Sequence, residues 1–304
     1  WRSQVLGSSR AVRMDRGGSH ESHFKEKLAA SDGIDAVHSL LGCGSFSYVF
    51  RCTRRGQEEQ VAVKVLKTKD FLPGRGREAH FIQGLRHENL VNLLEIVEGD
   101  LDYFVLELCS GGSLQDILYP SSSAPSKWPD VDPRQRIRAG YDIALALDFL
   151  HQQDILHRDV KSGNVFLQTP IEGDVLPVVK LGDLGFARPM SDYDSMTQGV
   201  GTMRYMAPEV IEGGDYGTKA DVFSLAILIH EMLTCQIPFG RRNEASICLA
   251  IQQGVRPSLE DVPTSVGEKE SSHLVQVLEE AWSNEPDDRK NAGETAELLK
   301  PLFQ

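Results

Sequence analysis

The residues best suited to chemistry in this 304-residue chain sit in one short run, His157-Arg158-Asp159-Val160-Lys161-Ser162-Gly163-Asn164. It crowds cations, a carboxylate and a carboxamide into a loop that follows a helical pattern. A surface loop explains any two of them, but their joint spacing is hard to obtain by chance. Asp183-Leu184-Gly185 follows the apolar run Val178-Val179-Lys180-Leu181, which puts a carboxylate at a strand end, where it can hold a metal. Alone, that tripeptide is only a turn signal. Gly42-Cys43-Gly44-Ser45-Phe46-Ser47 lies between two β-like runs, and glycines let backbone N–H groups approach phosphate oxygens that a Cβ would obstruct. By itself this segment reads as a tight hairpin without a ligand. Tyr48–Cys52 continues as a strand, so the strand-glycine-helix order of a dinucleotide fold fails, and the GxxxxGK[ST] pattern is not met. Val61-Ala62-Val63-Lys64 sets a lysine in an apolar strand, where its ammonium must reach solvent or find a partner. Glu78, opening the next helical pattern, can supply that counter-charge.

The elements that must position these groups differ along the chain. Val49–Phe50 and Val61–Val65 bracket the polar turn Arg54–Gln60 and predict a hairpin, with a β-like stretch from Val37 before it. Phe81, Ile82 and Leu85 give helical spacing over residues 77–86, and strands follow at Leu90–Val97 and Tyr103–Leu108. After Ser110-Gly111-Gly112 helical periods dominate: Arg134–Gln152, Ala220–Leu233, Glu244–Gln253, His273–Ser283 and Ala292–Leu302. Tyr119–Pro133 and Gln168–Pro177 read as inserted loops. Residues 1–35 are polar and lack a sustained period, and read as a flexible leader or linker with a short helix near Phe24–Ala30.

In order, GxGxxS, VAVK, a helix glutamate, HRDVKSGN, DLG and Ala207-Pro208-Glu209 resemble the eukaryotic protein kinase family from about residue 37 to residue 303. The resemblance implies an α+β, bilobal fold: a small antiparallel β-rich N-lobe with one main helix (36–109) and a larger, mostly helical C-lobe (110–304). It implies ATP and Mg²⁺ as cofactors, with Mn²⁺ as a substitute. Gly42, Gly44 and Ser47 would cover the phosphates, and Val49 and Ala62 would sandwich adenine. Leu106 would be the gatekeeper, Glu107-Leu108-Cys109 the hinge reading adenine, and Phe166 a further nucleotide contact. ATP would lie at the seam near Cys109. Lys64 would hold the α- and β-phosphates and pair with Glu78. Asp159 would orient the substrate hydroxyl or accept its proton, Lys161 would neutralise the γ-phosphate, and Asn164 and Asp183 would bind the metal. Phosphoryl transfer is mainly positioning plus neutralisation of equatorial oxygens, so cations and metal ligands are what such a site needs. The same resemblance makes Asp221 the brace of the catalytic loop, Glu209 and Arg289 a buried ion pair, and Ile82, Leu93, His157 and Leu184 a regulatory spine.

Lys161 and the segment Gly201–Met206 resemble serine/threonine enzymes, so protein Ser/Thr hydroxyls are the expected acceptors. Trp282 with Glu285–Arg289 is similar to the tyrosine-kinase-like group, which includes mitogen-activated kinase kinase kinases. Ser47, Leu184, Phe223, Ala226 and Lys290 depart from the usual residues, but none removes a charged catalytic group. Ser191, Ser195 and Thr197 are candidate sites for an upstream kinase or autophosphorylation, with Arg158 as the phosphate's partner; the plainer reading is solvated loop hydroxyls. Cys43 is either an oxidation sensor or a bystander thiol. Competing readings are a pseudokinase scaffold and a tyrosine or dual-specificity enzyme; Lys64, Asp159, Asn164 and Asp183, whose loss would favour the scaffold, are all present.

Composition narrows the rest. With 32 Lys+Arg against 44 Asp+Glu the net charge is −12, which disfavours nucleic acid as a partner. Residues 257–304 alone carry 4 Lys/Arg against 11 Asp/Glu, so the acidity mostly reports a C-terminal face and says nothing of substrate charge. Five scattered cysteines without a CxxC pair suggest reduced thiols and an intracellular, cytoplasmic setting. No apolar run reaches the roughly 18–20 residues that span a bilayer, so no membrane segment is expected in this chain. The first residue is Trp1, consistent with a fragment of a longer protein.

Overall fold

Alternating apolar and polar residues between Ile34 and Glu107 build a five-stranded antiparallel sheet: β1 (Ile34–Cys43), β2 (Ser47–Arg54), β3 (Gln60–Leu66), β4 (Leu93–Val97) and β5 (Tyr103–Glu107), in the order β1-β2-β3-β5-β4. The computed structural model describes residues 14–44, 47–67, 83–120, 125–184, 188–189, 203–214, 216–263 and 267–304. Backbone contacts divide the chain into two compact units, one of residues 1–85 and 92–108, the other of residues 86–91 and 109–304.

Register sorts the side chains of the first unit. Tyr48, Phe50, Cys52, Val61, Val63, Val65, Tyr103 and Val105 share one face and form its apolar core. The opposite face carries the cross-strand rows Val49–Lys64–Phe104 and Arg51–Ala62–Leu106. Within the expected leader, Met14–Ala29 is a sixteen-residue helix, α1, longer than the short helix expected near Phe24–Ala30. Leu28 is fully buried in the sheet core, and the ring of Phe24 lies 5.4 Å from that of Tyr48. Two apolar residues at i, i+4 are enough to dock a helix but too few to show as a period.

A second correction concerns the strand expected over Leu90–Val97, which runs only from Leu93 to Val97. Leu90 instead bridges in parallel to Leu181, and the Asn89 amide donates to Val179 O at 2.9 Å, so this segment belongs to the second unit. The helix expected over residues 77–86 falls largely on residues 68–82, outside the described residues, as do Glu78, Phe81 and Ile82.

The second unit contains the short strands β6 (Gly112–Ser113), β7 (Ile155–Leu156), β8 (Val165–Leu167), β9 (Val179–Leu181) and β10 (Arg188–Pro189). Its helices are α2 (Leu114–Leu118), α3 (Pro133–His151), α4 (Pro208–Glu212), α5 (Thr218–Thr234), α6 (Glu244–Gln252), α7 (Glu268–Ala281) and α8 (Ala292–Leu299). Starts are set by capping chemistry: Asp132 accepts from Arg134 N–H at 2.7 Å ahead of Pro133, and Asn291 with Glu294 forms a capping box. α5 is apolar on all sides, and between Ala220 and Leu233 every residue but Ser224 is buried. The inserted loop is tied to the end of α5, because Trp128 Nε1 donates to Met232 O at 2.8 Å and Arg136 of α3 donates both to Val131 O in the loop, at 2.8 Å, and to Leu233 O, at 3.0 Å.

α3 crosses α5 closely at Gly140. A Cβ there would lie 2.8 Å from Ile229 Cγ1 and 3.1 Å from its Cδ1. Gly140→Ala gains about 1 kcal/mol of helix propensity. Against that stands an overpacking cost of about 1–3 kcal/mol, set by a β-branched neighbour whose χ1 is stiff. Net destabilisation is expected, read as a lower denaturant midpoint; a midpoint at or above wild type would show that this crossing has slack.

Candidate active site

The sheet places five of the expected nucleotide-site residues together. Cross-strand pairing puts Val49 beside Lys64, Ala62 beside Leu106 and Ser47 beside Leu66, all on the face opposite the α1-covered core. Gly42 pairs with Val49, and Gly44 N–H donates to Ser47 O at 3.0 Å, which closes the base of the glycine-rich loop. Ser45 and Phe46 lie outside the described residues. Glu107 ends β5 and exchanges bonds with Asn92: its N–H donates to Asn92 O at 3.0 Å, and its Oε1 accepts from Asn92 N–H at 2.6 Å. Cys109 opens the second unit, its carbonyl accepting from Gly112 N–H at 3.2 Å. The expected partner of Lys64, Glu78, is outside the described residues.

In the second unit the loop after β7 gathers the charged groups. Asp159 is almost fully buried, and its Oδ2 accepts from Lys161 Nζ at 2.6 Å and from Asn164 Nδ2 at 2.8 Å. The same Asn164 Nδ2 donates to Asp159 O at 2.7 Å. These two bonds commit the amide nitrogen of Asn164 to Asp159 and so fix which way its carboxamide faces. Asn164 O accepts from Gly182 N–H at 2.8 Å, and His157 Nε2–H donates to Gly182 O at 3.0 Å. His157 Nδ1 in turn accepts from Asp159 N–H at 3.3 Å, so both bonds require the Nε2–H tautomer. These bonds hold the end of β9 against the loop, with Asp183 next in sequence at φ +60°. Phe166, on β8, lines the approach to Gly182, where a Cβ would come within 3.0 Å of its ring.

Asp221, buried on α5, braces the loop from behind. Its Oδ2 accepts from His157 N–H and from His151 Nε2, each at 2.9 Å, and its Oδ1 from Arg158 N–H at 2.8 Å. Burial alone would raise the Asp221 carboxyl, but the bonds from His151 and His157 outweigh it and hold the group below its ordinary value. Arg158 is thereby kept at φ +70°, a left-handed conformation rare for its type. Farther out, Arg289 forks onto Glu209, Nη1 to Oε1 at 2.6 Å and Nη2 to Oε2 at 2.8 Å.

The profile of the protein kinase domain family matches residues 36–299. The chain belongs to the protein kinase domain family. It is 31% identical to the serine/threonine-protein kinase STY17 of Arabidopsis thaliana over 94% of this chain and 50% of that protein. Identity is likewise 31% to the serine/threonine-protein kinase CTR1 of the same plant, over 88% of this chain and 31% of that protein. The putative mitogen-activated protein kinase kinase kinase 7-like protein of Drosophila melanogaster shows 31% identity over 89% of this chain and 67% of its own length. The chain thus spans half or less of the first two relatives. The α+β kinase fold and the tyrosine-kinase-like affinity expected from the motifs are those found, and membership implies the use of ATP with a divalent cation.

This kinase domain also holds a cluster that motif reading missed. Glu231, buried on α5, accepts from three hydroxyls: Tyr119 OH at 3.0 Å and Ser162 Oγ at 3.1 Å on Oε1, and Tyr205 OH at 2.6 Å on Oε2. Ser224 Oγ donates to Tyr205 O at 2.6 Å. Ser162 belongs to the HRDVKSGN run, so the network ties that loop to α5, to the segment before Ala207-Pro208-Glu209 and to the end of α2. Its sequence signal was an acidic residue deep inside a strongly apolar helix. Ser191, Ser195, Thr197 and Thr202 lie outside the described residues.

Burial raises the Glu231 carboxyl from 4.5 to about 7, with the three hydroxyl bonds opposing the shift. Below pH 4.5 folded and unfolded chains both carry this proton; between there and about 7 only the folded chain does, so stability falls as pH rises through that window. In Glu231→Gln the amide keeps an acceptor for two hydroxyls but cannot ionise. The wild-type-minus-variant stability difference should therefore decline by on the order of 2 kcal/mol from pH 4.5 to 7.5 in denaturant titrations. A flat difference would count against a buried titrating carboxyl.

Proposed function

We propose that the chain is the catalytic part of a protein serine/threonine kinase that moves the ATP γ-phosphate to Ser/Thr hydroxyls. The observation that carries this reading is the double clamp on Asp159. Lys161 and Asn164 both bond Oδ2, so Oδ1, which bonds no side chain among the described residues, is the atom available to a substrate hydroxyl. Asp159 would orient that hydroxyl and take its proton as the oxygen attacks phosphorus. Lys161, already beside the carboxylate, would neutralise charge gathering on the γ-phosphate. Lys64 would hold the α- and β-phosphates over the Val49–Ala62–Leu106 face, with Gly42, Gly44 and Ser47 covering them and Glu107 and Cys109 reading adenine through the backbone.

Asn164 Oδ1 and the Asp183 carboxylate supply hard oxygen donors of the kind Mg²⁺ prefers, with Mn²⁺ an acceptable substitute. The bound ion would shield the phosphate charges; the chain's own part is to fix the carboxamide through Asp159 and to hold Asp183 at the end of β9. Ser/Thr rather than Tyr as acceptor is supported by Lys161 and by relatives named as serine/threonine kinases.

Regulation by phosphate on Ser191, Ser195 or Thr197, placed by an upstream kinase or by autophosphorylation, is supported by Arg158. Its Nε and Nη2 are buried without a hydrogen-bond partner among the described residues, and its guanidinium lies 5.6 Å from the Tyr216 ring. We place the protein in the cytoplasm on the strength of five free cysteines.

Purified protein should label a Ser/Thr peptide library from ATP, with phosphoserine and phosphothreonine recovered on hydrolysis. Asp159→Asn keeps the shape but loses the base, and should lower kcat by about a hundredfold or more. Equal labelling by the two proteins would remove Asp159 from its role, and phosphotyrosine as the main product would overturn the Ser/Thr reading.

A further inference from the structure

Helix α1 precedes the residues matched by the family profile, which begin at 36, yet it enters the core of the first unit. Its contacts lead to the glycine-rich loop. The Phe24 ring lies tilted at 41° and 5.4 Å from Tyr48, the residue that follows Ser47. Tyr48 is buried, with Phe50 6.2 Å away on the same face. The Lys67 ammonium, just beyond β3, stands 4.3 Å above the Tyr48 ring. That ammonium donates to Gly44 O at 2.5 Å and to Cys43 Sγ at 3.6 Å. A helix, an aromatic ring, a cation and a loop carbonyl therefore form one continuous chain of contacts.

We propose that α1 is a positioning element of the nucleotide site: Phe24 holds the Tyr48 ring, the ring seats the Lys67 ammonium, and the ammonium fixes the Gly44 peptide in the phosphate-covering loop. The proposal rests on the reading that residues 42–47 cover the ATP phosphates. A peptide is planar, so fixing its carbonyl fixes the whole unit, and a loop that offers N–H groups to phosphate gains from being held before the ligand arrives. A ring face attracts an ammonium through its quadrupole, and the phenol oxygen is not needed for that attraction. Lys67 is half-buried, and Lys67→Met keeps most of its aliphatic stem while removing the ammonium, so this substitution tests the clamp without opening a cavity.

The experiment uses the full chain and measures the Kd of a fluorescent ATP analogue alongside KM for ATP and kcat. Lys67→Met, Tyr48→Leu and Phe24→Ala should each raise Kd and KM about two- to fivefold while kcat changes less. Tyr48→Phe keeps the ring and should behave as wild type. Adding Phe24→Ala to Lys67→Met should raise Kd no further, because both break one chain of contacts. Backbone exchange at Gly42–Gly44 in the nucleotide-free protein should quicken in Lys67→Met. An unchanged Kd and unchanged exchange in Lys67→Met would overturn the proposal, as would a Tyr48→Phe defect equal to that of Tyr48→Leu. Failure of the wild-type chain itself to bind the analogue would instead overturn the nucleotide reading on which the proposal stands.

Discussion

Asp221 sits on α5 with its carboxylate out of water, an arrangement that is tolerable only because every contact it makes is to a donor. An ionised carboxylate buried alone costs many kcal/mol, whereas this one accepts from His151, His157 N–H and Arg158 N–H. The exchange works in both directions. The loop's two amides would otherwise be buried without partners, and Arg158 would have no reason to stay at φ +70°. With those amides fixed, His157 reaches Gly182 O, Asp159 turns its Oδ2 to Lys161 and Asn164, and Asn164 accepts from Gly182. The geometry of the loop is thus inherited from one charge on the central helix.

The first unit depends on a different constraint, the two-residue period of its strands. Because Val49, Lys64 and Phe104 stand in one cross-strand row, Lys64 cannot point toward the Phe50–Val63 core without shifting the register of three strands. A lysine in an apolar strand looked costly when read alone. In the sheet it belongs to the face that the core does not use, and its burial is only partial.

That difference shows what was legible in the sequence. The first unit's hairpin, α3, α5 and α6 were visible because their apolar periods are long, and the candidate site residues stood out because charged groups at fixed spacing have few structural explanations. α1 was legible only as a short helix near Phe24–Ala30, since among its described side chains the apolar docking contacts are few, Phe24 and Leu28. The Glu231 cluster was not legible, because it is assembled from residues 119, 162, 205 and 231 and so exists only after folding. Leu90 misled for a related reason. Its β-like neighbours suggested one strand, but backbone bonds from β9 to Asn89 and Val91 divide that run between the units. Local pattern finds elements and motifs; it cannot show which distant partner claims a residue.

α5 supplies Asp221, Glu231 and Ser224 and the terminal carbonyls that receive Trp128 and Arg136, while nearly all of its length is buried. Chemistry and core therefore occupy one cooperative folding unit. Amides of His157 and Arg158 cannot exchange with solvent by a local fraying of their loop, since their acceptor is fixed to the helix around which the unit packs. Partial melting that spares the core has no route to loosen this loop alone, and heat-induced loss of the His157–Asn164 geometry should coincide with loss of the helical unit as a whole.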